Sequence, residues 1–353
     1  MSRKAHLVGS WPGEFGVHAM DTALTRLGPH LLRMSDGETG DRSEWIRPTL
    51  EWLRANPDVE RVAESKTSQD EFALFRVLEG HRFRPERIEL GYLRAFQQSY
   101  PAFQVLRERH REPQISFQVG IPAPLDLAVI AFGVDAVRVD ESLTQAFAAR
   151  TLDLVGQIRA EAGDDVVFQI ETVIGLVSVA RAPAATQPEV ARRMAHELVK
   201  LPAAAETGTR FGAHICLGDY HHKATGEAAD ARPLVLLANA LTQTWPAGRP
   251  FEYIHVPFAA ADEPPSFDEA WYAPLRDLAL PERVRFVAGF IHEAVDVDRL
   301  AGLLATIEGF AGCDVDVAAT CGLGRRPSPD QAWDAMDKAL ALVDAPPSNS
   351  KRA

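Results

Sequence analysis

The chain has 353 residues, 46% of them apolar and 24% charged, proportions that exclude collagen-like, coiled-coil and wholly disordered classes. Lys plus Arg total 37 against 49 for Asp plus Glu, and the resulting net charge of −12 repels phosphate backbones and anionic lipid, so nucleic acid and membrane surfaces are excluded as expected partners. Three cysteines cannot staple so long a chain, no run approaches the ~20 apolar residues of a membrane span, and no signal-like stretch follows Met-Ser-Arg-Lys-Ala-His, so a cytoplasmic location is expected.

Short apolar runs, each ending in small or polar residues, recur along the chain. They are His6–Trp11, Leu31–Glu38, Phe117–Pro124, Val166–Val173, Phe211–Asp219, Phe251–Phe258, Val284–His292 and Asp314–Cys321. Continuous rather than alternating hydrophobicity, as in Val166-Val-Phe-Gln-Ile, marks strands covered on both faces of a parallel sheet. The stretches between them have helical spacing. Thr186-Gln-Pro-Glu189 and Ser328-Pro-Asp-Gln331 read as capping boxes with Pro in the first turn, and Ala332, Met336, Ala339 and Val343 continue the second. Eight strands alternating with helices predict an α/β fold, a (β/α)8 TIM barrel rather than an open doubly wound sheet, with active residues at strand C-termini. The charge-rich segment from Arg47 to Pro113 is long for one crossover and is expected to form extra helices over one barrel end. Residues 1–345 then make one domain, with 346–353 read as a disordered tail.

His214-Ile-Cys216 ends the fifth run and Cys321 the eighth. Residues two apart in a strand point to the same side, and the ends of strands five and eight face each other across a barrel mouth. One imidazole and two thiolates suit zinc, and three protein ligands leave a fourth position open, as in catalytic sites. The alternative is that both cysteines are buried small hydrophobes. Cys313 begins the last run and reads as packing. His255, ending the sixth run, is either a fourth ligand, a partner behind the ligands or a satisfied core histidine. His292, ending the seventh, has an ordinary pKa near neutrality that suits a general acid or base. Glu171, on an apolar run, needs a cation or hydrogen-bond donor, which a substrate ammonium would supply. Ser10, Glu38 and Asp219 are further polar strand ends. Read blandly, Asp36-Gly-Glu38-Thr-Gly-Asp-Arg42 is a capped turn and Asp219-Tyr-His-His-Lys223 a solvated loop.

Taken in order, these strand ends resemble the catalytic C-terminal barrel of cobalamin-independent methionine synthase, within the superfamily that includes uroporphyrinogen decarboxylase. Val8-Gly-Ser-Trp-Pro12 is similar to its Ile-Gly-Ser-Phe-Pro opening, and Asp36-Gly-Glu38 with Arg42 to its His-Gly-Glu-x-x-Arg segment. Gln169-Ile-Glu171 falls where that family has Gln-Ile-Asp-Glu-Pro, without the Pro. His214-x-Cys216 matches the His-x-Cys zinc pair, Phe290-Ile-His292 the segment with the proton-transferring histidine, and Cys321-Gly-Leu-Gly-Arg-Arg326 the segment with the last zinc thiolate. The family's zinc-binding glutamate is replaced by His255, with Glu252 three residues earlier, so either His255 joins the ligands or three remain.

The resemblance implies a zinc-dependent transfer of a methyl or other alkyl group from a small-molecule donor to a thiol acceptor. His214, Cys216, Cys321 and His255 would hold the metal, His292 would move a proton with Glu171 and Asp219 beside it, and Ser10, Glu38, Arg42 and Glu171 would orient an amino-acid-like acceptor. Two alternatives stand: a metal-independent lyase of the uroporphyrinogen-decarboxylase type, and a non-catalytic barrel that binds zinc or thiols. Donor, acceptor and oligomeric state stay open.

Overall fold

A computed structural model of the chain describes residues 2–67, 70–220 and 222–345; the tail predicted at 346–353 lies outside the described residues. In chain order the strands are β1 (Ala5–His6), β2 (Arg33–Met34), β3 (Val59–Thr67), β4 (Asp70–Val77), β5 (Ser116–Pro122), β6 (Val166–Thr172), β7 (Arg210–Ile215), β8 (Phe251–Pro257), β9 (Arg285–Ile291) and β10 (Asp316–Ala319). Eight of them pair in parallel, in the order β1-β10-β9-β8-β7-β6-β5-β2, with helices between successive strands. Each of the eight overlaps a predicted apolar run, β1 only at His6, and the nearly closed α/β barrel has the predicted TIM-barrel architecture. Every residue of β5 and β6 is buried, as the continuous runs implied.

The segment from Arg47 to Pro113 departs from its all-helical expectation. It holds a helix at Arg47–Leu53 and another at Tyr92–His110, but between them β3 and β4 form an antiparallel hairpin. The charges of this stretch are shared among both helices, the loops and the hairpin, where Glu60 and Arg76 pair across the strands at 2.5 Å. The two capping boxes also part company. At Ser328 the hydroxyl accepts the Gln331 N–H and the Gln331 side chain accepts the Ser328 N–H, a complete box opening the helix Pro329–Val343. Thr186 sits in helical φ/ψ, and its hydroxyl donates instead to the Pro183 carbonyl at 3.0 Å, so that box does not form. Cys313, expected to pack, is exposed in the turn before β10.

The barrel interior is polar at its centre. Tyr253 is fully buried there, and its hydroxyl donates to Gln118 Oε1 at 3.2 Å and Gln169 Oε1 at 3.0 Å. The Arg33 guanidinium lies 3.9 Å from the centre of its ring. Gly212 makes room for that ring: a Cβ there would stand 2.0 Å from Tyr253 Cε1. The same glutamines explain the seam between β1 and β2, which share no ladder. The carbonyls of Leu7 and Val8 turn inward and accept from Gln118 Nε2 at 3.1 and 2.9 Å, and Val8 also from Gln169 Nε2 at 2.5 Å. Further up, the Trp11 N–H donates to the Gly37 carbonyl at 3.0 Å and the Ser35 hydroxyl to the Gly9 carbonyl at 2.8 Å, holding the two chain segments together.

Candidate metal centre and cavity

Strand register builds the site. Glu171 on β6 pairs with His214 on β7, and His214 with His255 on β8, so three adjacent strands present polar groups in one layer. Cys216 lies one residue past β7, where its N–H extends the ladder to the Thr172 carbonyl at 2.8 Å, and Cys321 lies two residues past β10. The ligand atoms of His214, Cys216 and Cys321, all buried, come within 4.8 Å of one another. The two sulfurs are 3.9 Å apart and Cys321 Sγ is 3.8 Å from His214 Nε2. Zinc bonds of ~2.3 Å to sulfur and ~2.0 Å to nitrogen, opened at tetrahedral angles, require separations of about 3.8 and 3.5 Å. The Cys216–Cys321 and Cys321–His214 separations therefore suit a zinc ion, and the third pair lies within 4.8 Å.

The proton arrangement behind His214 fits as well. Burial, and after it the neighbouring histidines, hold His255 well below the ordinary imidazole range, so the ring is neutral. Its Nε2 lies 3.0 Å from the Ala319 carbonyl, which can only accept, so Nε2 carries the hydrogen and Nδ1 is an acceptor. His214 Nδ1, 2.7 Å away, must donate to it. A neutral His214 ring that donates through Nδ1 turns its Nε2 lone pair toward the cysteines. His255 thus has both ring nitrogens engaged and stands behind His214, orienting it, outside the converging group. If the group takes zinc, replacement of His255 by phenylalanine is expected to weaken that binding about 10–100-fold, the usual cost of removing such a partner. Competition with a chelating indicator, on protein whose urea midpoint is checked in parallel, measures this. Glu252 lies at the opposite barrel end, paired with Arg210 at 2.5 Å.

The thiols are unequal. Cys216 donates its S–H to Cys321, which together with burial pushes Cys216 up. That hydrogen bond, and then the buried Arg325 guanidinium donating at 3.0 Å, hold Cys321 well below the ordinary thiol range despite burial. The Gly218 N–H donates to Cys216 Sγ at 3.3 Å. Arg325 is in turn held by Asp219 at 3.6 Å, Asp219 also pairs with Arg326 at 3.3 Å, and Arg326 with Glu293 at 3.0 Å. Arg325, Arg326 and Glu293 were not anticipated; the doubled arginine after Cys321 was the available signal.

A cavity of about 480 Å³ opens over these groups. Ser10, Glu38, Glu171, His214, Cys216, Asp219, Cys321 and Arg325 line it. Ser10 Oγ is buried without a hydrogen-bond partner. Glu38 and Glu171 flank Gly120, where a Cβ would stand 2.8 and 2.6 Å from their respective Oε1 atoms. Burial, and after it the charge of Glu171, pushes the Glu38 carboxyl up, and burial pushes Glu171 up too, so the pair holds a proton near neutrality. Two predicted residues lie off the cavity wall. Arg42 makes a two-pronged bond to Asp36 at 2.5 and 2.9 Å and fixes the turn carrying Glu38. His292 is committed to backbone, with Nε2 3.1 Å from the Ala261 carbonyl and Nδ1 accepting the Ala294 N–H at 3.1 Å.

Fold and site together define a parallel eight-stranded barrel with a His-Cys-Cys ligand group at its mouth. No known family model matches the sequence, and no curated protein does. Solved structures share the fold. A B12-independent methionine synthase from Shewanella sp. W3-18-1, solved in complex with selenomethionine, superposes with a TM-score of 0.62 over 97% of each chain at 13% identity. A methyltransferase from Methanosarcina mazei gives 0.52 over 97% of this chain and 93% of its own at 12% identity. A Listeria monocytogenes protein assigned as a vitamin-B12-independent methionine synthase gives 0.53 at 14% identity, over 97% and 98%. The fold resemblance inferred from the strand-end motifs therefore holds along nearly the whole chain.

Proposed function

We propose that this chain is a zinc-dependent alkyltransferase that moves a methyl or other alkyl group onto a thiol. The observation that carries this reading is the convergence of His214, Cys216 and Cys321 at zinc-ligand separations on the floor of a substrate-sized cavity. A thiol with an ordinary pKa near 8.5 is mostly protonated at neutral pH; zinc held by these three residues supplies the Lewis acidity that favours its thiolate. In the net reaction a sulfur–carbon bond forms, the donor's bond to that carbon breaks, and the thiol proton leaves. Glu38 and Glu171 are placed to receive it, since both face the cavity and share a proton between them. They are better suited than His292, whose ring nitrogens are tied to backbone. Ser10 offers a free hydroxyl to the substrate, and Asp219 steadies the Arg325 guanidinium against Cys321.

A lyase that holds several carboxylates draws no comparable support, because the two guanidinium groups lining the cavity, Arg181 and Arg325, already have protein partners. X-ray absorption of zinc-loaded protein tests the proposal. Two sulfur scatterers are expected without substrate and three when an acceptor thiol is added. A sulfur count unchanged across a panel of thiols would sink the reading.

A further inference from the structure

The cavity is two-faced. Its floor carries the cysteines and carboxyl groups described above, but the space over that floor is walled by Ile46, Val129, Ile130, Val134, Ile174 and Val177. These side chains come from four separate pieces of structure: the turn before the helix Arg47–Leu53, the helices Pro124–Phe132 and Val134–Val139 after β5, and the helix Ile174–Arg181 after β6. An apolar wall assembled from that many elements lowers the free energy of a ligand in proportion to the apolar surface it covers.

The charges at the floor argue against a zwitterionic acceptor. An amino-acid carboxylate taken into this space needs a cation or several donors to offset its desolvation. Arg325 already donates to Cys321 Sγ and the Ser43 carbonyl and faces Asp219. Arg181 is exposed at the rim and donates to the Thr225 carbonyl at 2.9 Å.

Resting on the alkyltransferase reading, we propose that the acceptor is a thiol borne on an apolar alkyl or aryl group of about five to eight carbons, its sulfur at Cys216 and Cys321 and its body against Ile130, Ile174 and Val177. Calorimetric titration of zinc-loaded protein with n-alkanethiols from propane- to hexanethiol, beside homocysteine, tests this. Affinity is expected to rise about fourfold per added methylene, the fold-change that ~0.8 kcal/mol per buried CH₂ converts to, and hexanethiol to bind more tightly than homocysteine. Ile130→Asp, or Val134→Asp should the first not fold, is expected to flatten the series by placing a carboxylate in the apolar wall. Affinity independent of chain length, or homocysteine as the tightest ligand, overturns the inference. Zinc content measured on the same samples separates the two failures. Stoichiometric zinc with a flat series removes the apolar acceptor alone, whereas protein that takes up no zinc removes the alkyltransferase reading and this inference with it.

Discussion

On the proposed function, Cys321→Ser protein, dialysed against a chelator and then given one equivalent of zinc, is expected to bind the metal more than about 100-fold more weakly than the parent, and to lose the proposed alkyl transfer with it. The loss exceeds the 10–100-fold that follows removal of partners behind the ligands, because a ligand itself is gone. A serine hydroxyl stays protonated where a thiol would ionise, and an alcohol oxygen is a poor substitute for sulfur on a borderline-soft ion. The damage spreads to the neighbours. Cys216 and the buried Arg325 exchange the sulfur that accepts from them, at 3.9 and 3.0 Å, for a neutral hydroxyl oxygen. Metal analysis after gel filtration reads the result directly. Cys313→Ser is the control, since Cys313 is exposed and apart from the ligand group. Stoichiometric zinc in Cys321→Ser protein would refute the ligand assignment.

Gly212→Ala is expected to cost about 3 kcal/mol or more of folding stability, at the upper end of what overpacking produces. In a domain of 353 residues, at ~2.1 cal/mol/K of unfolding entropy per residue, that lowers Tm by about 4 °C. The new methyl would stand 2.0 Å from Tyr253 Cε1 and 2.2 Å from Cζ. The ring cannot swing away cheaply, because its hydroxyl is fixed by Gln118 and Gln169 while Arg33 lies over its face. Gly302→Ala gives the contrast. It lies in the helix Val297–Ala311, a Cβ there meets nothing within 4 Å, and it is expected to stabilise by about 0.5–1 kcal/mol. Thermal unfolding of the two variants should move in opposite directions. Equal melting temperatures for Gly212→Ala and the parent would show that the barrel centre is softer than its hydrogen bonds indicate.

What was legible in the amino-acid order follows from period and topology. Val166, Val167, Phe168 and Ile170 put apolar side chains on both faces, and only a strand buried on both sides has that need. His214 and Cys216 are two apart, a spacing that fixes their common side whatever the rest of the chain does. Cys321 joins them only because the strands close into a barrel, and the count of eight runs implied that closure. The direction of a ring was beyond such reasoning. Whether His255 turns toward the cysteines or toward the Ala319 carbonyl depends on a side-chain rotation that no spacing encodes. Thr186 carried the right letters for a capping box, yet its hydroxyl found a nearer acceptor in Pro183. The hairpin of β3 and β4 was hidden by its charges, which read equally well as a solvated helix.

The inward-turned carbonyls of Leu7 and Val8 tie the position of the cavity floor to residues deep in the barrel. Gln118 and Gln169 hold the strand just before it delivers Gly9 and Ser10 to the mouth, and Gln169 also donates to Glu171 at 2.8 Å. An aliphatic residue in place of either glutamine would leave main-chain oxygens stranded in a dry interior and let the first strand drift. The middle of this barrel consequently has narrow latitude for exchange: a side chain there serves as ballast for the fold and as a spacer for the chemistry above it, and the two duties cannot be separated by mutation.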